Sequence, residues 1–344
     1  MSLPDRIETE EQLDDLLTRP SSGLVALAGR LRGTVTMIGA GGKMGMTFAV
    51  RLSRAIREAG ADARVTAVSR FSDSSRQAEL ERHGIATSAA DVLDGSQVDA
   101  LADADYVVYL VGRKFGTTGN EALTWATNTL PPVHVCRRYS GRPIVALSTG
   151  SVYELSPLAT GGATESCATE PRGEYANAAV ARERLFQWAS QRFSTPVCLV
   201  RLFYANDLRY GVIRDVADAV MEGRPVDLSM GCVNVMWQGD AVDQSLRALD
   251  YTGIPARPIV VAGPETVSIR VLAERLAGLF DREPVFVNES APDALLGNAS
   301  LAARLFGYPE VSLDRMIRWT AHWVSCGGRG LGRPTHWEVR DGRY

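Results

Sequence analysis

A glycine-rich turn between a β-prone segment and a helical segment constrains this chain most. Residues 35–45 read VTMIGAGGKMG, and apolar positions recur at helical spacing over residues 47–56. Gly39 can adopt the angles of a tight turn, Gly42 lets a ligand approach the main chain, and Gly45 lets strand and helix pack closely. Because free N–H groups at a helix start attract anions, the stretch predicts a dinucleotide pyrophosphate site, although its spacing differs from G-x-G-x-x-G. The residues predicted to contact the cofactor here are Gly39, Gly42, Lys43, Met44 and Gly45.

The end of the next predicted strand bears on which dinucleotide binds. Residues 63–68 read ARVTAV, and Ser69 and Arg70 follow them. An acidic residue at this point binds the adenosine ribose hydroxyls, whereas a hydroxyl and a guanidinium suit a 2′-phosphate. The sequence therefore predicts NADP as the cofactor, while Asp73 nearby keeps NAD open as the alternative.

Predicted strands and helices alternate as far as residue 202. Strands are predicted over residues 34–38, 63–68, 84–87, 104–111, 143–147 and 196–202, and helices over 47–56, 120–137 and 175–192. This alternation predicts an α/β fold with a Rossmann-like doubly wound parallel sheet. Pro131 and Pro132 are expected to kink or break the helix over 120–137, because proline lacks the amide donor.

The pattern loosens after residue 203, which indicates a smaller C-terminal α/β substrate lobe. We divide the chain into a helical extension (1–33), a dinucleotide-binding domain (34–203), a substrate-binding lobe able to lend a strand to the main sheet (204–326) and a tail (327–344). Thr9 marks a helix start in the extension. The sequence leaves open whether the tail packs on the body.

Composition and charge argue against several classes of function. The net charge of −3 provides no basic field for nucleic acid. No apolar run reaches the roughly 18 residues of a membrane span, and the polar, acidic start is unlike a signal peptide. The 5 cysteines are dispersed without a C-x-x-C pair, which indicates free thiols in a cytoplasmic protein. The 4 histidines lie far apart, so no metal site is predicted.

Several short motifs occur in a recognisable order. They are the glycine turn, Asp91-Val92, Leu110-Val111-Gly112, Asn128, Ser148-Thr149 with Val152-Tyr153, and Tyr175 with Glu183. The ordered set resembles the extended short-chain dehydrogenases/reductases, the NAD-dependent epimerase/dehydratase family, over about residues 34–325. The resemblance implies an NAD(P)-dependent enzyme and a homodimer formed through the helices over 120–137 and 175–192.

The resemblance also implies roles for individual side chains. Tyr175 matches the tyrosine that exchanges a proton with the substrate hydroxyl, and Thr149 matches the hydroxyl that binds the same oxygen. Further cofactor contacts are implied for Asp91, Val92, Leu110, Val111, Gly112, Lys114, Asn128, Tyr175 and Phe203, beside Ser69 and Arg70.

One position departs from the family pattern Y-x-x-x-K, because Ala179 stands where the lysine belongs. A phenol ionises only near pH 10, so a nearby cation normally prepares such a tyrosine for proton transfer. Arg182 points about 60° away from that position on an ideal helix and is a poor substitute. Lys43 is expected at the phosphate end. We therefore predict that Lys114, the only other lysine, supplies part of the missing positive charge as a catalytic residue.

Polar residues in later loops are candidates for substrate binding. Gly150 and Ser151 stand where dehydratases of the family have an Asp-Glu pair, which argues against dehydration. The predicted substrate contacts are Ser151, Arg209 for an anion, Asn234 and Gln238 for hydroxyls, and Trp237 for stacking on a ring.

These observations favour an NAD(P)-dependent oxidoreductase or epimerase acting on a hydroxyl or keto carbon of a small, sugar-like or hydroxy-acid substrate. Two alternatives remain open. A redox-neutral lyase or isomerase on the same scaffold fits the absent lysine. A non-catalytic dinucleotide-binding regulator would need neither Thr149 nor Tyr175.

Overall fold

A 7-stranded parallel sheet lies at the centre of the computed structural model, which describes residues 3–343. Its strands are β1 (Gly33–Ile38), β2 (Ala63–Ser69), β3 (Ala86–Ala89), β4 (Tyr106–Tyr109), β5 (Ile144–Thr149), β6 (Val197–Leu202) and β7 (Arg257–Val261). Their order in the sheet is β7-β6-β5-β4-β1-β2-β3, and every neighbouring pair is parallel. The predicted Rossmann-like doubly wound fold is therefore confirmed.

Helices cover both faces of this sheet. They are α1 (Glu10–Thr18), α2 (Ser22–Ala28), α3 (Gly45–Glu58), α4 (Ser74–Arg82), α5 (Gly95–Asp99), α6 (Glu121–Arg138), α7 (Gly173–Arg192), α8 (Val212–Met221), α9 (Gln238–Arg247), α10 (Ile269–Phe280), α11 (Ser300–Phe306) and α12 (Leu313–Ser325). Short 3-10 turns span Gly150–Val152, Leu158–Thr160 and Ala248–Tyr251. Two-stranded ladders outside the main sheet use Ser156–Pro157, Tyr204–Asn206, Val226–Asp227, Cys232–Val233, Val235–Trp237, Val267–Ser268, Phe286–Val287 and Asp293–Ala294.

Alternation along the central strands explains the two helical layers. In β1, Val35 and Met37 join an apolar cluster with α2, α3 and α9, whereas Ile38 joins a second cluster with α5, α6 and α7. Successive strand residues point to opposite faces, so a sheet with apolar residues at both must be covered on both.

The strand order reverses between β1 and β4, and this reversal positions the site. The chain continues from β1 to β2 on one side of the sheet and from β4 to β5 on the other. In open α/β sheets the ligand crevice lies outside the carboxyl ends of the strands at such a point. The glycine turn follows β1 here.

The break expected at Pro131 and Pro132 is absent. Helix α6 runs from Glu121 to Arg138 as one helix, and both prolines are buried within it. Helix α6 packs along α7, so we attribute its continuation past the missing amide donors to tertiary packing.

Both terminal segments pack against the body. Thr9 caps α1 by accepting a hydrogen bond from the amide of Gln12, as predicted, and α1 and α2 lie against α3 and α9. In the tail, Trp337 is buried in the cluster that contains α8, α10 and α12. All five cysteines are free thiols. Between residues 3 and 343, no helix combines the length and apolar character that crossing a bilayer requires.

Candidate active site

A cleft of about 920 Å³ opens at the carboxyl ends of the central strands, beside the point where strand order reverses. Its volume lies near the upper end of the usual range for small-molecule sites, about 300–1,000 Å³. Sequence-predicted residues that line it are Gly39, Gly42, Lys43, Met44, Gly45, Ser69, Arg70, Asp91, Val92, Leu110, Val111, Gly112, Lys114, Thr149, Ser151, Tyr175 and Phe203.

The glycine turn forms a tight backbone cradle at one wall. Gly39 has φ +93°, which side-chain-bearing residues rarely adopt. A Cβ on Gly45 would lie 2.1 Å from the carbonyl oxygen of Ala40, so the turn closes only around glycine. Met44 provides no side-chain cap for α3, and the helix start therefore keeps amide donors for an anion. These residues fit a dinucleotide pyrophosphate.

The end of β2 brings two guanidinium groups to the cleft. Arg70 was predicted from the sequence, and Arg76 in the first turn of α4 joins it. Asp73 also lines this end, but it caps α4 by accepting hydrogen bonds from the amide and hydroxyl of Ser75 (3.0 and 2.6 Å), which lower the pKa of its carboxyl. The Asp73-x-Ser75 cap was readable in the sequence and would have placed Arg76 at this wall.

Lys114 lines the cleft after β4, with its ammonium 5.4 Å from the centre of the Phe115 ring. Burial lowers the pKa of Lys114 to about 8, and the negative charge of Glu338 partly opposes this shift. The side chain therefore changes charge close to neutral pH.

We expect cofactor affinity to fall as the pH rises through about 8. Below that pH Lys114 is a cation that attracts a dinucleotide, and above it the neutral amine loses this attraction, a loss of roughly tenfold for one charged hydrogen bond. Fluorescence titration with NADH and NADPH across this range measures the effect. Lys114→Arg should keep the high cofactor affinity at alkaline pH, whereas Lys114→Met should have low cofactor affinity at every pH tested. If the cofactor affinity of wild type fell no more steeply with pH than that of Lys114→Met, the role of Lys114 in cofactor binding would be contradicted.

Lys43 departs from its predicted place at the phosphate end. Its Nζ atom donates to Gln238 Oε1 (2.5 Å), lies 3.7 Å from Asp207 Oδ2 and sits 4.2 Å from the centre of the Tyr210 ring. The carboxylate and the ring attract the ammonium toward the C-terminal lobe. Burial lowers the pKa of Lys43.

Thr149 and Tyr175 both line this cleft. Thr149 ends β5, where its hydroxyl donates to Ser151 Oγ (3.2 Å) and accepts from the Ser151 amide (3.1 Å). Tyr175 lies in the first turn of α7 and is 7% exposed. Tyr204 and Tyr210 also line this part of the cleft.

A buried polar network lies beneath Thr149. Glu183 on α7 accepts hydrogen bonds from Ser148 Oγ (2.5 Å) and from Nε and Nη2 of Arg201 (3.1 and 2.7 Å). Arg201 also donates to the Tyr153 hydroxyl (2.5 Å). Burial raises the pKa of Tyr153 to about 12, so this phenol stays neutral. The network ties β5, β6 and α7 together next to Thr149.

The position of the missing lysine is apolar. Ala179 is fully buried among hydrophobic side chains. Arg182 extends instead beneath Gly112, donating to Asn128 Oδ1 (2.8 Å) and the carbonyl of Val111 (3.3 Å). Asn128 is buried and does not line the cleft, so its predicted cofactor contact is replaced by this support of Arg182.

Four predicted substrate contacts do not line the cleft: Arg209, Asn234, Trp237 and Gln238. Arg209 pairs with Glu10 and Asp14 of the N-terminal extension, both at 2.7 Å. Trp237 is buried against Trp319. The side chains of Asn234 and Gln238 are engaged by the Glu265 carbonyl, the Gly297 amide, Lys43 and Thr47. In their place the structure brings Tyr210, Arg333 and Thr335 to the cleft.

The charge of the cleft is opposite to that of the chain. Its basic lining residues are Lys43, Arg70, Arg76, Arg113, Lys114 and Arg333, and its acidic ones are Asp73 and Asp91. The whole chain, in contrast, carries a net charge of −3. A cleft of one sign attracts ligands of the other. Over the described residues, no cluster of His, Cys, Asp and Glu could hold a metal ion.

Comparison with known proteins agrees with this geometry. A model of the NAD dependent epimerase/dehydratase family matches residues 35–221. Solved structures with similar folds include a UDP-glucuronic acid 4-epimerase from Bacillus cereus in complex with UDP-glucuronic acid and NAD, at 17% identity and a TM-score of 0.69 over 85% of this chain and 99% of that chain. A UDP-glucose 4-epimerase from Thermotoga maritima with UDP-glucose has 16% identity and a TM-score of 0.68 over 85% of this chain and 98% of that chain. A UDP-glucose 4-epimerase from Thermus thermophilus in complex with NAD has 19% identity and a TM-score of 0.65 over 85% of this chain and 98% of that chain. A search of curated proteins gives no match. At these identities the structures show a common fold.

Proposed function

Because the chain belongs to the NAD dependent epimerase/dehydratase family, we propose that it uses NAD or NADP to act on a hydroxyl or keto carbon of a small, sugar-like, anionic substrate. One observation carries the proposal: Thr149 and Tyr175 share one cleft with the glycine turn that starts α3 without a side-chain cap. Two of the solved structures named above contain a bound UDP-sugar, and the basic cleft supports a substrate of that charge.

Each side chain then has a defined task. The dinucleotide, when bound, supplies hydride transfer to or from the substrate carbon. The Thr149 hydroxyl orients the reacting oxygen, and the Tyr175 phenol exchanges a proton with it. Ser148, Glu183 and Arg201 hold the end of β5 in place, so that Thr149 keeps its position during the reaction.

NADP is the proposed cofactor, with NAD as the alternative, because Arg70 and Arg76 both line the cleft at the end of β2. Replacing Arg70 with Ala should weaken NADPH binding by roughly tenfold and leave NADH binding nearly unchanged, since only NADPH carries the 2′-phosphate. Titration of the purified protein with both dinucleotides measures this, after mass analysis of any cofactor that copurifies.

The outcomes of that titration separate the candidate functions. Micromolar binding of either dinucleotide, followed by turnover of a UDP-sugar or hydroxy acid, supports the proposal. A retained NAD that turns over without net reduction indicates an internal redox cycle of the epimerase type. Turnover of a substrate with no hydride transfer indicates a redox-neutral lyase or isomerase, the second candidate, which the apolar surroundings of Ala179 in place of a lysine favour. Binding of neither dinucleotide would contradict the proposed function.

A homodimer through α6 and α7 is also part of the proposal. Trp125 and Leu130 on α6 and Trp188 on α7 are 38–53% exposed. Large exposed apolar side chains on two adjacent helices are typical of a surface that a partner covers. Sedimentation velocity should show a dimer of 37.2 kDa subunits, and substitution of Trp188 with Glu should shift it to monomer.

A further inference from the structure

The C-terminal tail contributes residues to the lining of the cleft. Leu331, Arg333 and Thr335 are lining residues, although they lie more than 100 residues beyond the end of the matched family model at residue 221. The tail therefore contributes to the site in a way that the family match does not describe.

Contacts on both sides of Arg333 hold the tail in place. Before it, Arg214 donates to the carbonyl of Gly328 (3.1 Å), and the Leu331 amide donates to the carbonyl of Arg209 (2.9 Å). After it, the amide and hydroxyl of Thr335 both donate to Asp215 Oδ2 (2.8 and 2.6 Å). The segment between these anchors is short, so Arg333 is presented at a fixed place rather than on a loose end.

Arg333 differs from the other arginines of the tail. Arg329 pairs with Glu10, Arg340 with Asp293 and Arg343 with Asp341. For Arg333, no carboxylate among residues 3–343 lies within ion-pair distance, and the residue is exposed in the cleft. A guanidinium that lines a cleft without a carboxylate can bind a ligand oxyanion through two parallel hydrogen bonds.

Through Tyr210, Arg333 lies close to Tyr175, the proposed proton-transfer group. It lies within electrostatic reach of Tyr210, as Tyr175 does. Ser69 and Arg70, which are proposed to hold the adenosine end, lie at the end of β2, and the strands β4 and β1 separate β2 from β5 with its Thr149. Arg209, the arginine that the sequence suggested for anion binding, is neutralised by Glu10 and Asp14.

We propose that Arg333 is a specificity-determining residue that binds an oxyanion of the substrate, phosphoryl or carboxylate, at the end of the cleft formed by Tyr210 and the tail. This inference rests on the proposed function, because it assigns the anion to the substrate of that site. A substrate lacking such a group would leave Arg333 without its ligand.

Calorimetric titration of the dinucleotide-saturated protein tests the proposal. The probes are UMP and UDP-glucose for a phosphoryl group, glucuronate for a carboxylate, and uridine and glucose as neutral references. Replacing Arg333 with Ala should lower the affinity for the anionic probe by about 10- to 100-fold relative to wild type. Arg333→Lys should restore part of this affinity. Arg329→Ala, which removes a tail arginine outside the cleft lining, is the matched control and should bind as wild type does.

Each outcome decides the question. If Arg333→Ala loses affinity only for UMP and UDP-glucose, the oxyanion that Arg333 binds is a phosphoryl group. If it loses affinity only for glucuronate, the oxyanion is a carboxylate. Equal affinity in wild type and Arg333→Ala would overturn the proposal, as would a wild-type protein that binds none of the anions. In separate titrations, the affinities of Arg333→Ala for NADH and NADPH should differ from those of wild type by less than twofold. Failure of wild type to bind either dinucleotide contradicts the proposed function instead.

Discussion

Replacing Tyr175 with phenylalanine is expected to lower turnover by about 10²- to 10⁴-fold, the usual contribution of a positioned general acid or base. The ring stays in place at the start of α7, and only the hydroxyl that exchanges the proton is lost. Affinity for NADH or NADPH should stay within about threefold, because the glycine turn and the end of β2 are untouched. The measurement is turnover of the first substrate found in a screen of UDP-sugars and hydroxy acids, beside a dinucleotide titration of the same preparation.

Tyr210 provides a matched control for this prediction, because it presents a second phenol to the same cleft. Burial raises the pKa of Tyr210 well above its ordinary value, so this phenol holds its proton. We therefore expect Tyr210→Phe to change turnover far less than Tyr175→Phe does. If Tyr210→Phe were the inactive variant and Tyr175→Phe the active one, the assignment of the proton-transfer group would be wrong.

The sequence indicated most residues of the cleft wall that is proposed to bind the dinucleotide, because that wall is built from local signals. Gly39 and Gly45 are required by a single strand–turn–helix unit, and Thr149 and Gly112 each follow a strand whose apolar run is visible in the sequence. The carboxyl ends of parallel strands meet at one edge of a sheet, so residues placed correctly along the chain are also placed correctly in space.

The part of the cleft that is proposed to bind the substrate could not be predicted in this way, since it depends on contacts between distant segments. Arg209 pairs with Glu10 and Asp14, about 200 positions earlier in the chain. Arg333 is held at the cleft because Leu331 is bound by Arg209 and Thr335 by Asp215, each about 120 positions away. No periodicity or motif in the sequence indicates such pairings. The sequence around a polar loop residue does not show whether that residue binds a ligand or pairs with a distant part of the chain.

Arg182 illustrates a third kind of difference. Helical geometry correctly indicates that it points away from the position of Ala179. That geometry does not report that the guanidinium reaches Asn128 beneath Gly112, which brings a buried positive charge close to the cleft floor. Arg182 and Lys114 therefore both bring positive charge to the segment that follows β4.

Breaking the buried pair between Glu183 and Arg201 is expected to have the largest effect on stability. The two side chains are 2% and 4% exposed, and Arg201 Nη2 lies 2.7 Å from Glu183 Oε2. Removing one partner leaves the other charge buried without compensation, so Glu183→Leu and Arg201→Met should each lower the free energy of unfolding by about 3–5 kcal/mol. Urea unfolding followed by tryptophan fluorescence measures the change. The exposed pair of Arg172 and Glu154, at 2.9 Å, is the control, and Arg172→Met should cost at most about 1 kcal/mol.

The double variant Glu183→Leu/Arg201→Met separates stability from function. Because no charge is left unpaired, most of the lost free energy of unfolding should return. Turnover should stay low, because Ser148 has still lost the carboxylate that fixes it beside Thr149. Recovery of both stability and turnover would mean that the pair does not position the catalytic hydroxyl. Single variants that each cost less than about 1 kcal/mol would mean that water reaches the pair and that the network beneath β5 is not a closed one.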